Sequence, residues 1–448
     1  MIKRINASKQ TEYLYCLVIS VITLFGWYFK SKWGYMTIIP VTLLAVTILN
    51  DFKYMAISGL GLIFSVGTGY TANTLEFPMQ FAVAIFLYVA IGFIYIIRNG
   101  IHIKNVKSCI GLLALGILSP IPLIWNNVIE ANERILYFVY LSYFLYLLIY
   151  ILFVVTLKKD SFRMIKTAMV FMTLVIALEC IFASIEFGFV KGINLGWAIT
   201  IDAGITMLVG LPFIFIDLIH EKNYIKLIIS DLILIVVIFG CALTVSRGTY
   251  LFGIIELVLL YIFSLIKAKK KIFLLMSTLV VLTAAVLTLH FTITLPEAYH
   301  KVVDIVFAVD FNDNGRFGLW QAAYDIWKQN GLNIVFGAGI MPIPSAQVIS
   351  EFGLPSLIYF HSTFFELLGT LGVLGVLTYL FHIFEKYKQL FKLNLTCGVV
   401  MLIGYLAVDA YGLIDNTFAC YYYMIPLMIV MASLDTLNKG EFDMIMDY

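Results

Sequence analysis

Long apolar runs separated by short polar breaks set the pattern of this chain. Crossing a bilayer takes about 20 mostly apolar residues. Runs of that kind begin near Tyr13, Gly34, Tyr54, Pro78, Cys109, Ile135 and Met164. Others begin near Gly196, Ile225, Thr249, Ile272, His361, Leu395 and Phe418. The runs at Gly34, Tyr54 and Cys109 are the weakest, the last being cut by Ser119-Pro120-Ile121-Pro122. The pattern predicts an all-α polytopic membrane protein with about 12–14 transmembrane helices. The basic start, MIKRINASKQTEY, precedes an apolar run without a small-x-small cleavage site and reads as an uncleaved first helix.

One stretch departs from this rhythm. Residues 293–360 form a long connection that carries Phe311, Phe317, Trp320, Tyr324, Trp327 and Phe336. Disordered segments are poor in aromatics, so this loop is expected to fold. The chain therefore divides into an N-terminal transmembrane bundle, residues 1–292, of about 11 spans; a large loop, 293–360; and C-terminal transmembrane helices, 361–448, of about 3 spans. Within the loop, Phe317, Trp320, Tyr324 and Trp327 recur at the spacing of one helical face. A helix is expected over roughly 315–329 at the membrane surface, with Asn314 as N-cap and Asn330–Gly331 as its stop.

Composition sharpens the class. The chain is 62% hydrophobic and 12% charged, with a mean hydropathy of +0.98. Soluble domains carry about 25% charged residues. A net charge of +2 points to no nucleic-acid partner. The six cysteines lie scattered, mostly in apolar runs with no CxxC, and read as small buried side chains rather than disulfides or zinc ligands. Most Lys and Arg fall on the segments that alternation from an inner N-terminus places inside, so both termini are expected to be cytoplasmic and the large loop extracytoplasmic.

Three features on the outer side carry chemistry. Arg316 falls in the first turn of the expected loop helix, where unpaired N–H groups already attract anions. Arg247, in LTVSRGTY, sits in a short outer connection, and Gly248 makes that turn tight. His361 opens the span after the loop. Glu366 follows at a spacing that does not favour a His–Glu pair, and Gly369, Gly372 and Gly375 allow close packing. Arginine holds phosphate through charge-assisted hydrogen bonds worth about 1.5–3 kcal/mol each. A histidine base contributes about 10²–10⁴ in rate. Together they suit a phosphate-bearing ligand beside a hydroxyl to be activated. There is no GxxxxGKS/T and no DxD pair, so neither a P-loop nor a metal-held nucleotide sugar is indicated. Among acids in or near spans, Asp202, Asp409 and Asp415 come near outer ends, where one could pair with an arginine or meet sugar hydroxyls. Asp231 comes near an inner end and reads as structural.

SRG at one span end, GRFGLWQAAYDIWKQNGLNIVFGAGI in the loop and HSTFFELLGTLGVLG at the next span resemble the O-antigen ligase/polymerase family of multispanning glycosyltransferases. The family's Arg-x-x-x-Trp matches Arg316 and Trp320, and its Gly-x-Gly matches Gly337 and Gly339; where the family has His-Asn, this chain has His361–Ser362. The resemblance implies a GT-C-like fold in a bacterial cytoplasmic (inner) membrane, with an extracytoplasmic active site. It implies transfer of a glycan from an undecaprenyl-diphosphate-linked donor to a glycan hydroxyl acceptor, with no metal or cofactor. Arg247 and Arg316 would bind the diphosphate, His361 would assist the acceptor, and Trp320, Gly337 and Gly339 would line the substrate. The expected activity is an O-antigen or capsule-type polysaccharide polymerase, with the lipid bilayer and a chain-length regulator or flippase as further partners. A ligase using a different acceptor shares these motifs, and a lipid-linked oligosaccharide flippase is the reading from another class.

Overall fold

The computed structural model describes residues 9–65, 79–101, 109–125, 133–188, 193–277, 279–280, 283, 316–339, 360–418 and 420–437. Among these, the named elements are all helical. They are α1 (Lys9–Tyr28), α2 (Lys32–Leu49), α3 (Lys53–Phe64), α4 (Met79–Asn99), α5 (Ile110–Leu118) with a 3₁₀ turn at Ile121–Ile124, α6 (Glu133–Thr156), α7 (Ser161–Phe187) and α8 (Thr200–His220). Then come α9 (Tyr224–Leu243), α10 (Arg247–Lys267), α11 (Arg316–Trp327), α12 (Gly331–Phe336), α13 (Thr363–Leu390), α14 (Leu395–Tyr411) and α15 (Tyr421–Asp435).

Among the described residues, six helices are long and apolar enough to cross a membrane. The protein is a polytopic membrane protein. Two of the weak runs prove to be short elements. α3 has 12 residues, nearly all buried, so protein rather than lipid surrounds it. α5 stops after nine residues, because Pro120 and Pro122 lack the amides a continuing helix would need. The run expected from Ile272 lies largely outside the described residues.

The long helix α7 is buried along much of its length and packs against α1, α3, α8 and α9. α8 is gripped by α10 and α14 on its other side. Charges lock one end of this bundle. Lys53 Nζ, at the start of α3, lies 2.7 Å from Glu12 and 3.1 Å from Asp160, and Arg163 reaches Glu12 at 3.1 Å. The starts of α1, α3 and α7 therefore share one end. Asp231 accepts a hydrogen bond from Ser277 and has a structural part. At the opposite end, Trp27 closes α1 by donating to the Leu195 carbonyl at 2.8 Å, and Thr200 bonds the Thr244 carbonyl between α9 and α10. The residues of chemical interest gather at this second end.

A small separate core of Leu319, Ala323 and Phe360 joins the loop helix α11 to α13. α13 is broken at Gly372, whose φ of 65° only glycine adopts readily. The break frees the carbonyls of Gly369 and Thr370, and the amides of Ala338 and Gly339 take them, each at 2.9 Å. A side chain at Gly337 would come within 2.2 Å of the Thr370 backbone, so the two chains touch main chain to main chain. Gly369 faces Ala323 of α11 and Gly372 meets Val335 of α12, so the small residues of α13 admit the loop's helices at close range.

Candidate active site

α11 begins at Arg316 and ends at Trp327, close to the expected span; the expected cap Asn314 lies outside the described residues. Asn330–Gly331 is not its stop. Asn330 instead caps α12, its side chain accepting from the Asn333 amide at 2.9 Å, and Gly331 opens that helix. Leu319 and Ala323 face α13, whereas Phe317 and Tyr324 are exposed. Trp320 sits between the two, its ring stacked on Phe365 at 5.2 Å and 11°. Its indole N–H is buried without a partner among the described residues.

Docking α11 on α13 carries Arg316 to the far end of the bundle, where its guanidinium lies 3.7 Å from the Asp415 carboxylate. His361 Nδ1 lies 3.3 Å from the other oxygen of the same carboxylate. Asp415 therefore joins the loop arginine to the histidine that precedes α13. The turn holding it is stitched to the start of α13. Thr363 N donates to the Gly412 carbonyl at 2.8 Å and to the Asp415 carbonyl at 3.2 Å. The Asn416 amide donates to Asp415 Oδ1 at 2.8 Å. Burial pushes the Asp415 carboxyl up, but the His361 hydrogen bond and charge, then the Arg316 charge, outweigh it and hold the group below the usual carboxylate range.

His361 adopts φ 46°, a left-handed conformation uncommon for a side-chain-bearing residue. With Nδ1 on Asp415, the other ring nitrogen is left for a ligand, and the histidine side chain is 48% exposed. Glu366 does not pair with it; its carboxylate accepts from the Phe360 amide at 2.9 Å.

Arg247 is the first residue of α10, with Ser246 as N-cap. Both its neighbours meet Tyr411, the last residue of α14 and four positions before Asp415. Ser246 Oγ lies 3.0 Å from the Tyr411 hydroxyl. A Cβ on Gly248 would strike the Tyr411 ring at 1.9 Å. So Gly248 serves a close approach inside the helix rather than a tight turn; the left-handed residue of that connection is Val245, φ 52°. Arg247, Arg316 and His361 are thus brought to one turn, residues 411–418. Gly337 and Gly339 dock the loop onto broken α13 and hold α11 in place.

Asp415 is the residue that motif reasoning left among several intramembrane acids, since nothing in its own neighbourhood marks its role. Asp409 has another duty: Lys386 holds it at 2.5 and 2.6 Å in a buried pair, with Tyr387 also bonded. Among the described residues no group of three or more His, Cys, Asp or Glu forms a set that could hold a metal ion.

Comparison with known proteins fits this arrangement. No curated protein matches the chain. Residues 232–380 match the O-antigen ligase family model, a stretch that contains Arg247, Arg316, Trp320, Gly337, Gly339 and His361 but ends before Asp415. The match shows that this stretch is similar to the O-antigen ligase family, and two of its motif residues, Arg316 and His361, meet on Asp415.

Proposed function

We propose that this O-antigen ligase/polymerase-like membrane enzyme joins undecaprenyl-diphosphate-linked repeat units at the extracytoplasmic face. What carries the reading is one carboxylate, Asp415, in contact with both Arg316 and His361. Such a site has a cation to meet a departing diphosphate and an oriented imidazole to take a hydroxyl proton. In the step, the acceptor hydroxyl gives its proton to the free nitrogen of His361. Its oxygen bonds the anomeric carbon of the donor sugar. The bond from that carbon to the diphosphate oxygen breaks, and the lipid diphosphate leaves with the electron pair. Arg316 and Arg247 neutralise the charge that develops there, in the manner of preorganised electrostatic stabilisation. Asp415 stabilises the imidazolium. Arg316 is suited to this because 3.7 Å is an ion-pair distance rather than a hydrogen bond, so its N–H fork is not consumed by Asp415.

Reconstitution with lipid-linked repeat units as the sole substrate tests the reading. A polymerase builds a ladder of products; absence of any transfer product would remove the proposal. The matched family model is described as a ligase, which favours a second reading, transfer to a different acceptor. That enzyme makes no ladder and forms product only when the second acceptor is added.

A further inference from the structure

The end of the bundle away from Asp415 carries cations of two kinds. Those inside it are matched: Lys53 by Glu12 and Asp160, Arg163 by Glu12, and Lys166 by Asp217. Six more lysines lie on its rim. Lys222 and Lys226 flank the start of α9, and Lys267, Lys269, Lys270 and Lys271 follow one another at the end of α10 and just beyond it. Five of the six are exposed, and Lys270 is half-buried. Among the described residues, ion pairing on this rim takes up only Lys226, which lies 3.5 Å from Glu221.

The two basic stretches are fixed to each other. Lys269 N donates to the Ile219 carbonyl at 3.2 Å. Lys270 Nζ donates to the Tyr224 hydroxyl at 3.1 Å and lies 4.3 Å over the same ring. Tyr224 meets Phe273 edge to face, and Ser277 bonds Asp231 one step further along α9. The lysines of both stretches therefore share one surface. Next to them that surface turns apolar, with Ile225, Leu232, Ile266, Ile272 and Leu275 all exposed. In a polytopic membrane protein such side chains face lipid tails. The lysines then stand at headgroup depth, where long cationic side chains and tyrosine settle.

That continuity selects the occupant. An acidic protein would answer the lysines but not the isoleucines beside them. A phospholipid answers both, its phosphate meeting the ammonium groups while its chains lie on the apolar side chains. A zwitterionic headgroup brings a cation of its own, so an excess of lysine favours a headgroup with net negative charge. We propose that this rim, residues 219–226 and 267–277, is a binding surface for anionic phospholipid. Lys222, Lys226, Lys267, Lys269 and Lys271 receive the headgroups, and the Lys270–Tyr224 contact holds the two stretches in register. The inference stands on this geometry and is independent of the glycosyl-transfer reading.

The test places the full-length protein in nanodiscs of equal phosphatidylglycerol and phosphatidylcholine with identical chains. Native mass spectrometry then counts the lipids that stay bound. Wild type is expected to retain phosphatidylglycerol in preference by about fivefold or more, the effect of a single lysine near an anionic surface. Replacing four lysines together (Lys222→Gln, Lys267→Gln, Lys269→Gln and Lys271→Gln) should bring the ratio close to unity. Arginine at the same four positions should hold it. A photoreactive phosphatidylglycerol should label 219–226 and 267–277 of the wild-type protein, which decides the matter even where the Gln variant does not fold. Equal retention of the two lipids by wild type overturns the proposal and leaves the rim to an acidic protein. A folded Gln variant that keeps the preference overturns it, as does labelling confined to other segments. Equal labelling by a phosphatidylcholine analogue marks general lipid contact and overturns it too.

Discussion

His361 Nδ1 lies 3.3 Å from Asp415 Oδ1 across 54 residues of chain. That contact sets which ring nitrogen is left for chemistry, because a nitrogen that donates to a carboxylate cannot also act as the base. The pairing has the logic of a histidine held in one tautomer by a buried acid, and it ties the loop side of the site to the turn after α14.

Asp415→Asn is therefore expected to lower kcat by about 10²-fold or more, in the range that positioned acid–base groups contribute. The KM for donor should change less. Steady-state kinetics on lipid-linked donor, with protein amounts measured alongside, checks this. A variant with wild-type kcat would show the pairing to be idle.

Replacing the proposed base should cost at least as much. His361→Ala is expected to reduce transfer by about 10²–10⁴-fold. Arg316→Lys keeps the charge but loses the planar fork, so it should fall well below wild type yet above Arg316→Ala. Product formation by the three variants side by side gives the order; equal activity of Lys and Ala at position 316 would contradict a role in binding a diphosphate.

The lowered carboxyl of Asp415 has a sign that can be followed through. Its folded value lies below the usual one, near 3.9 for a free aspartate, because His361 and Arg316 outweigh the burial that raises it. The stability this supplies is fully present above about pH 4 and is lost only as pH falls through the lower folded value. Removing His361 takes away the largest of the lowering contributions. In His361→Ala the acid-induced drop in thermal midpoint should begin at a higher pH than in wild type. Unfolding scans in detergent from neutral pH downward would show it, and superimposable curves would refute it.

Two glycines of the loop region separate docking from helix propensity. Gly337→Ala places a Cβ 2.2 Å from the Thr370 backbone at φ 76°, where main chain must move. Strain of that kind costs about 1–3 kcal/mol before the clash is added. Gly318 has open space around it within α11. Gly318→Ala should therefore be neutral or gain up to about 1 kcal/mol. Transfer activity and thermal midpoint should both fall in the first variant and hold in the second.

At the opposite end, Lys53 and Glu12 are each 4% exposed in their side chains and lie 2.7 Å apart. Lys53→Ala removes one of the two cations on the buried Glu12 carboxylate, with Arg163 remaining at 3.1 Å, and is expected to destabilise the protein by about 1.5–3 kcal/mol, the worth of a charge-assisted hydrogen bond. The enzyme that remains folded should show unaltered KM values, since this cluster sits away from the site. A selective rise in either KM would mean that the two ends are coupled.

Much of this was legible in one dimension. The apolar runs marked the helices, because burying an unpaired backbone in lipid is so costly that a hydrophobic run must be helical. The helix start at Arg316 was readable from local spacing, whereas Gly248, read as a turn, lies inside the helix that begins at Arg247. The 12-residue α3, the short α5 and the second helix at Asn330–Gly331 were not readable, since their bounds depend on what packs around them. Asp415 was visible only as one acid among several.

What the sequence determined, then, is each residue's own preference: apolar or polar, helical or breaking, charged or neutral. These are local energies and survive in any context. Tertiary structure alone decided which distant groups would share a space: His361 and Arg316 on Asp415, and Gly337 against broken α13. A contact between residues far apart in the chain has no local energy to announce it. It exists only once packing has made those groups neighbours.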